Sequence, residues 1–213
     1  MGNPTPLIES ENIVYEIIIR SLPLGIPFDG FSLTNAMVER GYIFEQNSGE
    51  EIAIAKKQDS TITFNTQNSA ISIQDGDVEK IVSTVKEMLD ILKNECEFDL
   101  GKYQIIHKIT NTMIVKTGFN PLESMTKSFA KDIKSKINSL YEDNFKVDGF
   151  QLASGDRYGN NFHNLNIAPR YSRDSTTYYI IYTQRDTDMK IIMDSMKNSR
   201  NKILHTLKIL DES

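Results

Sequence analysis

The sequence predicts an α+β protein, a tandem duplicated unit of antiparallel sheet with helices packed on one face. Two observations point there. Strand-like alternation and helical spacing take turns along the chain, and the same order of elements comes round twice. A third observation sets the scale: 213 residues, 39% hydrophobic and 25% charged, fall among ordinary globular proteins with one large core or two small ones.

Period-2 alternation of β-branched residues makes Ile13 to Arg20 the first strand, closed by the breakers Pro23, Gly25 and Pro27. Phe31 to Arg40 reads as a short helix with Ser32 as its N-cap and Gly41 as its stop. Four strand-like runs follow, Tyr42 to Gln46, Glu51 to Lys56, Thr61 to Thr66 and Ala70 to Gln74. Hairpin chemistry separates them at Asn47-Ser48-Gly49, Gln58-Asp59-Ser60 and Gln67-Asn68-Ser69. After Asp75-Gly76-Asp77 the period changes. Val78, Ile81, Val82, Val85, Leu89 and Leu92 recur at three and four residues, so Asp77 to Lys93 is an amphipathic helix with an acidic first turn.

The second half repeats that order in longer pieces. Tyr103 to Lys116 is a strand or strand pair interrupted near Asn111. Pro121 opens a helix whose stripe is Leu122, Met125, Phe129, Ile133, Ile137 and Leu140. Strands are expected at Phe145 to Ala153, Phe162 to Ala168 and Thr176 to Thr183, and a final helix from Asp186 to Leu210 carries Met189, Ile192, Met193, Met196, Ile203, Leu207 and Leu210 on one face. The chain then divides into an N-terminal extension (1–11), a first repeat (12–98) and a second repeat (99–213). In element order, residues 12 to 210 resemble the TATA-binding-protein-like fold, which is a tandem duplication of such a unit. The resemblance implies a saddle-like sheet with one face free. It is a likeness of topology: the family's phenylalanine intercalation motif is not in place, and the second half is one strand short.

Charge divides unevenly. Residues 1 to 100 hold 7 Lys+Arg against 17 Asp+Glu, and the rest hold 17 against 12, so halves of −10 and +5 lie within a net charge of −5. Such halves attract one another, within one chain or between chains.

The sequence holds no phosphate-binding loop, no dinucleotide fingerprint and no nucleophile elbow, and Cys96 stands alone, so neither a cofactor nor a metal site is expected. No run is apolar for long enough to span a bilayer, the first residues lack the pattern of a signal peptide, and the lone cysteine fits a reducing compartment; a cytoplasmic protein is expected. His205 lies off the apolar stripe of its helix and reads as solvated; His107 reads as a sheet-face residue. His163 shares the parity of Leu165, so a core or edge role competes with a chemical one.

The densest polar-aromatic segment holds the candidate ligand-binding residues Arg157, Tyr158, His163, Arg170, Tyr171, Arg173, Tyr178, Tyr182 and Arg185. Arginine offers a fork to phosphate or carboxylate and tyrosine a flat face with a polar tip, which together suit recognition. Tyrosine is also a good strand former, and arginine a good solubiliser. Three functional readings follow. The first is a non-enzymatic binding module presenting a free sheet face to a protein or nucleic acid. The second is an enzyme for a phosphorylated or nucleotide substrate, with His163 as acid/base and Arg170 or Arg173 as clamp. The third is a structural or oligomerising protein, for instance a homodimer, with Met189, Met193 and Met196 near an interface.

Overall fold

In the computed structural model, which describes residues 5–20, 30–45, 52–65, 67–96, 98–129, 135, 149–170 and 176–212, alternation becomes a two-faced sheet. The strands are β1 (Leu7–Arg20), β2 (Ile43–Phe44), β3 (Ile52–Lys57), β4 (Ser60–Asn65), β5 (Ala70–Asp75), β6 (Gln104–Lys116), β7 (Phe150–Gly155), β8 (Phe162–Pro169) and β9 (Thr177–Asp186). The helices are α1 (Gly30–Glu39), α2 (Val78–Asp90), α3 (Pro121–Ser128) and α4 (Met189–Glu212). All nine strands join one antiparallel sheet in the order β2-β3-β4-β5-β1-β6-β9-β8-β7. Outward from β1 the neighbours are β5, β4, β3 and β2; outward from β6 they are β9, β8 and β7.

Ile13, Tyr15, Ile17 and Ile19 of β1 are buried, and register carries that face to Ile109 and Met113 of β6, Ile71 and Ile73 of β5, and Tyr178 and Ile180 of β9. The helices cover this face. α2 and α4 touch each other, α3 packs on α4, and α1 packs on the π-helical turn Ile91–Glu95 that ends α2. Met37, Val85, Met88, Ile192, Met196, Ile203 and Leu207 seal one continuous core against the sheet. The full burial of each such side chain is worth about 1.5–3 kcal/mol, so this layer dominates stability.

The charged halves are drawn together across the middle. Lys108 pairs with Glu16, Arg170 with Glu9, Lys197 with Glu79 and Arg200 with Glu11. In each described pair that crosses the halves, the second half supplies the cation and the first the carboxylate. Exposed pairs contribute little singly, but all four share one polarity.

Two strand-to-helix junctions repeat one device. Asp75 Oδ1 accepts the Asp77 N–H and Asp77 Oδ1 accepts the Glu79 N–H, each at 2.8 Å, where β5 turns into α2. Asp186 Oδ1 accepts the Asp188 N–H and Asp188 Oδ1 accepts the Lys190 N–H, again at 2.8 Å, where β9 turns into α4. Carboxylates in these places satisfy amides that a helix start leaves open.

Several expected boundaries moved. β1 begins at Leu7, six residues before its alternation and inside the expected N-terminal extension, because Leu7 to Asn12 pair with Lys116 to Thr112 of β6. β6 runs unbroken through Asn111, whose Nδ2 donates to Glu11 Oε1 at 2.8 Å and to Ser199 Oγ at 3.0 Å beneath α4. Ser32 lies inside α1 rather than at its cap. β2 is only two residues long. Pro23, Gly25, Pro27, the Asn47-Ser48-Gly49 turn and the helical stripe at Ile133, Ile137 and Leu140 lie outside the described residues.

His107 lies in the core, 5% exposed, with its Nδ1 at 2.8 Å from the Tyr15 hydroxyl. Burial lowers its pKa, against a weaker opposing pull from Asp188 and Asp186. The folded state therefore binds its proton more weakly than the unfolded chain, and its contribution to stability is complete above about pH 6.5 and is lost as pH falls through the folded pKa. The expected outcome is a melting temperature that drops between pH 7 and 5, and drops less in His107→Gln; equal slopes for the two proteins would refute the assignment.

Candidate functional site

Because strand side chains alternate, the helix-covered face fixes the identity of the opposite one. Among the described residues no helix covers that opposite face, called here the open face. It carries Asn12, Val14, Glu16, Ile18 and Arg20 of β1, Lys108, Thr110, Thr112 and Ile114 of β6, Tyr179, Ile181, Thr183 and Arg185 of β9, and Phe162, Asn164 and Asn166 of β8.

Its charge differs from that of the chain. Among the described residues whose face the strand pairing fixes, the open-face cations are Arg20, Lys56, Lys108, Lys116 and Arg185, and the open-face carboxylates are Glu16, paired with Lys108, and Glu45, paired with Lys56. Other acids of the first half lie elsewhere: Glu79, Glu87 and Asp90 on α2, Asp59 in a turn, and Asp75 and Glu11 toward the helices. A chain of net −5 thus turns away from its helices a face that carries, among the described residues, more cations than carboxylates.

The expected binding segment is divided between the two faces. Tyr178 and Tyr182 point at the helices, 0% and 7% exposed, where the Tyr178 hydroxyl donates to Asp211 at 2.7 Å and the Tyr182 hydroxyl to Gln184 at 2.6 Å. Burial raises the pKa of both. They are core residues. Tyr179, between them in sequence, is on the open face and 38% exposed. Tyr171 and Arg173 lie outside the described residues.

Arg157, Tyr158 and Arg185 come together at one end of the open face. The β7–β8 loop, Asp156 to Asn161, is pinned from beneath by the Arg185 guanidinium, which donates to the carbonyls of Asp156 at 3.1 Å and of Arg157. That guanidinium lies 5.2 Å from the centre of the Phe162 ring, its cross-strand partner. Asp156 Oδ1 accepts the Tyr158 N–H at 2.9 Å, and Arg20 of β1 reaches Asn160 Oδ1 at 3.1 Å. Two glycines make the path possible. Gly155 has φ +84°, and a Cβ there would sit 2.4 Å from the Asn161 carbonyl oxygen; a Cβ on Gly159 would sit 2.7 Å from the Asp156 carboxylate. Burial and the neighbouring Arg20 charge lower the Arg185 pKa, partly opposed by Asp156. Tyr158 stands at the loop tip, 83% exposed.

His163 faces the helix side, where burial and the Lys202 charge lower its pKa and Asp186 opposes them. Arg170 lies seven residues further along the chain, hydrogen-bonded through its backbone N–H to Thr177 and ion-paired with Glu9 at 3.6 Å. At about 3.3 Å per residue the two are separated by about 23 Å, so they do not converge on one phosphate as acid/base and clamp. A cleft of about 570 Å³ on the helix side, lined by Pro6, Phe119, Leu204, His205 and Lys208 among others, holds none of the expected residues. No group of three His, Cys, Asp or Glu side chains placed to hold a metal occurs among the described residues, and no described helix is long and apolar enough to cross a membrane.

No family model matches the chain, and no curated protein matches it. Among solved structures, it is similar to the rolling circle replication initiator protein from Geobacillus stearothermophilus at a TM-score of 0.30 and 8% identity, over 92% of this chain and 79% of that one. A likeness at that level carries no argument.

The clamp predicts a local effect. In Arg185→Ala the Nη2 group that donates to both carbonyls is removed. Amide exchange at residues 156–161 is expected to accelerate, while global stability changes by less than about 1 kcal/mol. Unchanged exchange in the loop would show that Arg185 does not hold it.

Proposed function

We propose that the chain is a non-enzymatic binding module, the duplicated halves of which form a saddle-like sheet that binds nucleic acid on its open face. The observation that carries this reading is the separation of charge between faces: among the described residues cations outnumber carboxylates on the open face, while Glu79, Glu87 and Asp90 lie on α2, Asp59 in a turn, and Asp75 and Glu11 toward the helices. Phosphate contacts supply most of the affinity for nucleic acid, and the amide and hydroxyl side chains between the cations suit hydrogen bonding to it. Aromatic rings at Tyr179 and Phe162 add stacking surface. The matching strand order on either side of β1 and β6, and the two Asp-x-Asp junctions, support duplication. The right-handed twist of antiparallel strands bends such a sheet. The lone cysteine accords with a cytoplasmic setting.

A test is fluorescence anisotropy of labelled single-stranded and duplex oligonucleotides at about 50 and 200 mM salt, a range over which phosphate contacts weaken steeply. Binding is expected at low salt, and the variant Arg20→Ala should lower the salt slope by about 0.7–0.9. Absence of binding at low salt in the unaltered protein removes the reading.

Self-association has one observation in its favour. β7 ends the sheet among the described residues, its sequence Phe150 to Gly155 carries no charge and no proline, and Leu152 is 58% exposed. Natural edges are usually guarded by charge or proline. Sedimentation velocity would show a concentration-dependent dimer; a monomer at every concentration ends this second reading.

A further inference from the structure

We infer that the β7–β8 loop is a preformed contact for single-stranded nucleic acid, with the Tyr158 ring stacking on an exposed base and Arg157 meeting the adjoining phosphate. The inference rests on the open-face reading and adds the strand class and the contacting residues. A solitary surface tyrosine needs no explanation by itself. This one differs in what holds it. Four tethers hold the loop, three of them on its backbone: the Arg185 Nη2 on two carbonyls, the Asp156 carboxylate on the Tyr158 amide, the Gly159 N–H on the Asp156 carbonyl, and Arg20 on the Asn160 side chain. Most of the ordering that a contact would require is already in place, so an incoming base meets a loop that need not be organised on binding.

The surrounding charge selects the partner. Arg20, Arg157 and Arg185 converge at the loop, and the one loop carboxylate, Asp156, is engaged by the loop's own backbone. That field attracts a polyanion. A protruding ring stacks only on a base with a free face, which a single strand offers along its length and a duplex only at its ends. The hairpin between β3 and β4, the corresponding place beside β2, turns through Gln58 and Asp59 and presents no aromatic, so the contact belongs to one end of the sheet.

The chain has no tryptophan, so Tyr158→Trp places a single indole at the loop tip. The probe is an oligothymidylate of about 15 nucleotides, within the site sizes of such surfaces, beside a duplex of the same length. The expected result is quenching of the indole by the single strand, binding weakened about tenfold in Tyr158→Ala, near-normal binding in Tyr158→Phe, and a salt slope lower by about 0.7 in Arg157→Ala. Binding with no quenching and an unaffected Tyr158→Ala would overturn the loop's role and leave the open-face reading standing. Preference for duplex without quenching would overturn the strand class. No binding of either oligonucleotide by the unaltered protein would overturn both. Circular dichroism of each variant confirms the fold; Tyr158, 83% exposed, makes little contact to lose.

Discussion

The pairing of β1 with β6 is the constraint on which the other features depend. It joins the halves along nearly the full length of both strands, from Leu7 opposite Lys116 to Arg20 opposite Gln104. Parity set in this seam passes from strand to strand. With Tyr15 and Ile109 turned to the helices, Ile73, Ile62 and Gln184 must follow, and Tyr179, Phe162 and Arg185 must turn away. A slip of β1 by one residue would bury Glu16 and expose Tyr15 and Ile17. Such a slip would forfeit the burial of several large side chains, each worth about 1.5–3 kcal/mol.

Much of the architecture was legible because both periods are strong in this sequence. The stripe from Val78 to Leu89 and the alternation from Ile13 to Ile19 each have one reasonable interpretation, and α2 and β1 formed there. Local signals failed where tertiary pairing overrode them. Leu7 to Asn12 alternates poorly but is held by β6, and Asn111 looked like a break but is satisfied by Glu11 and Ser199, residues remote in sequence. The candidate segment mixed two populations for the same reason. Parity separates Tyr178 and Tyr182 from Tyr179, but which face is covered depends on helices that alternation in one strand does not reveal. Arg185 was named as a ligand contact without its loop, since hydrogen bonds to backbone carbonyls leave no trace in residue type.

The charge split read along the chain becomes two separations in space. Between halves, it supplies the ion pairs that tie β1 and α2 to β6 and α4. Between faces, it leaves the acids of α2 and the turns away from the cations of the open sheet. Composition gave the first of these and was silent about the second, because the face on which a charge falls is decided by register. A net charge of −5 is therefore a poor guide to what the open face attracts.

The seam also orders events during synthesis. Tyr15 lies between Ile73 of β5 and Ile109 of β6, so β1 emerges from the ribosome well before either neighbour. Translation at about 5–20 residues per second brings β5 first, and the first half can then close its own hairpins around β1. Until β6 appears, the longest of the described strands presents a bare edge, with Ile13, Ile17 and Ile19 lacking their partners across that edge. During that interval the edge is open to wrong partners, because an unpaired edge accepts any strand of suitable length. It closes only when a segment some ninety residues downstream arrives, so this step of assembly carries a loop-closure cost that the local hairpins do not.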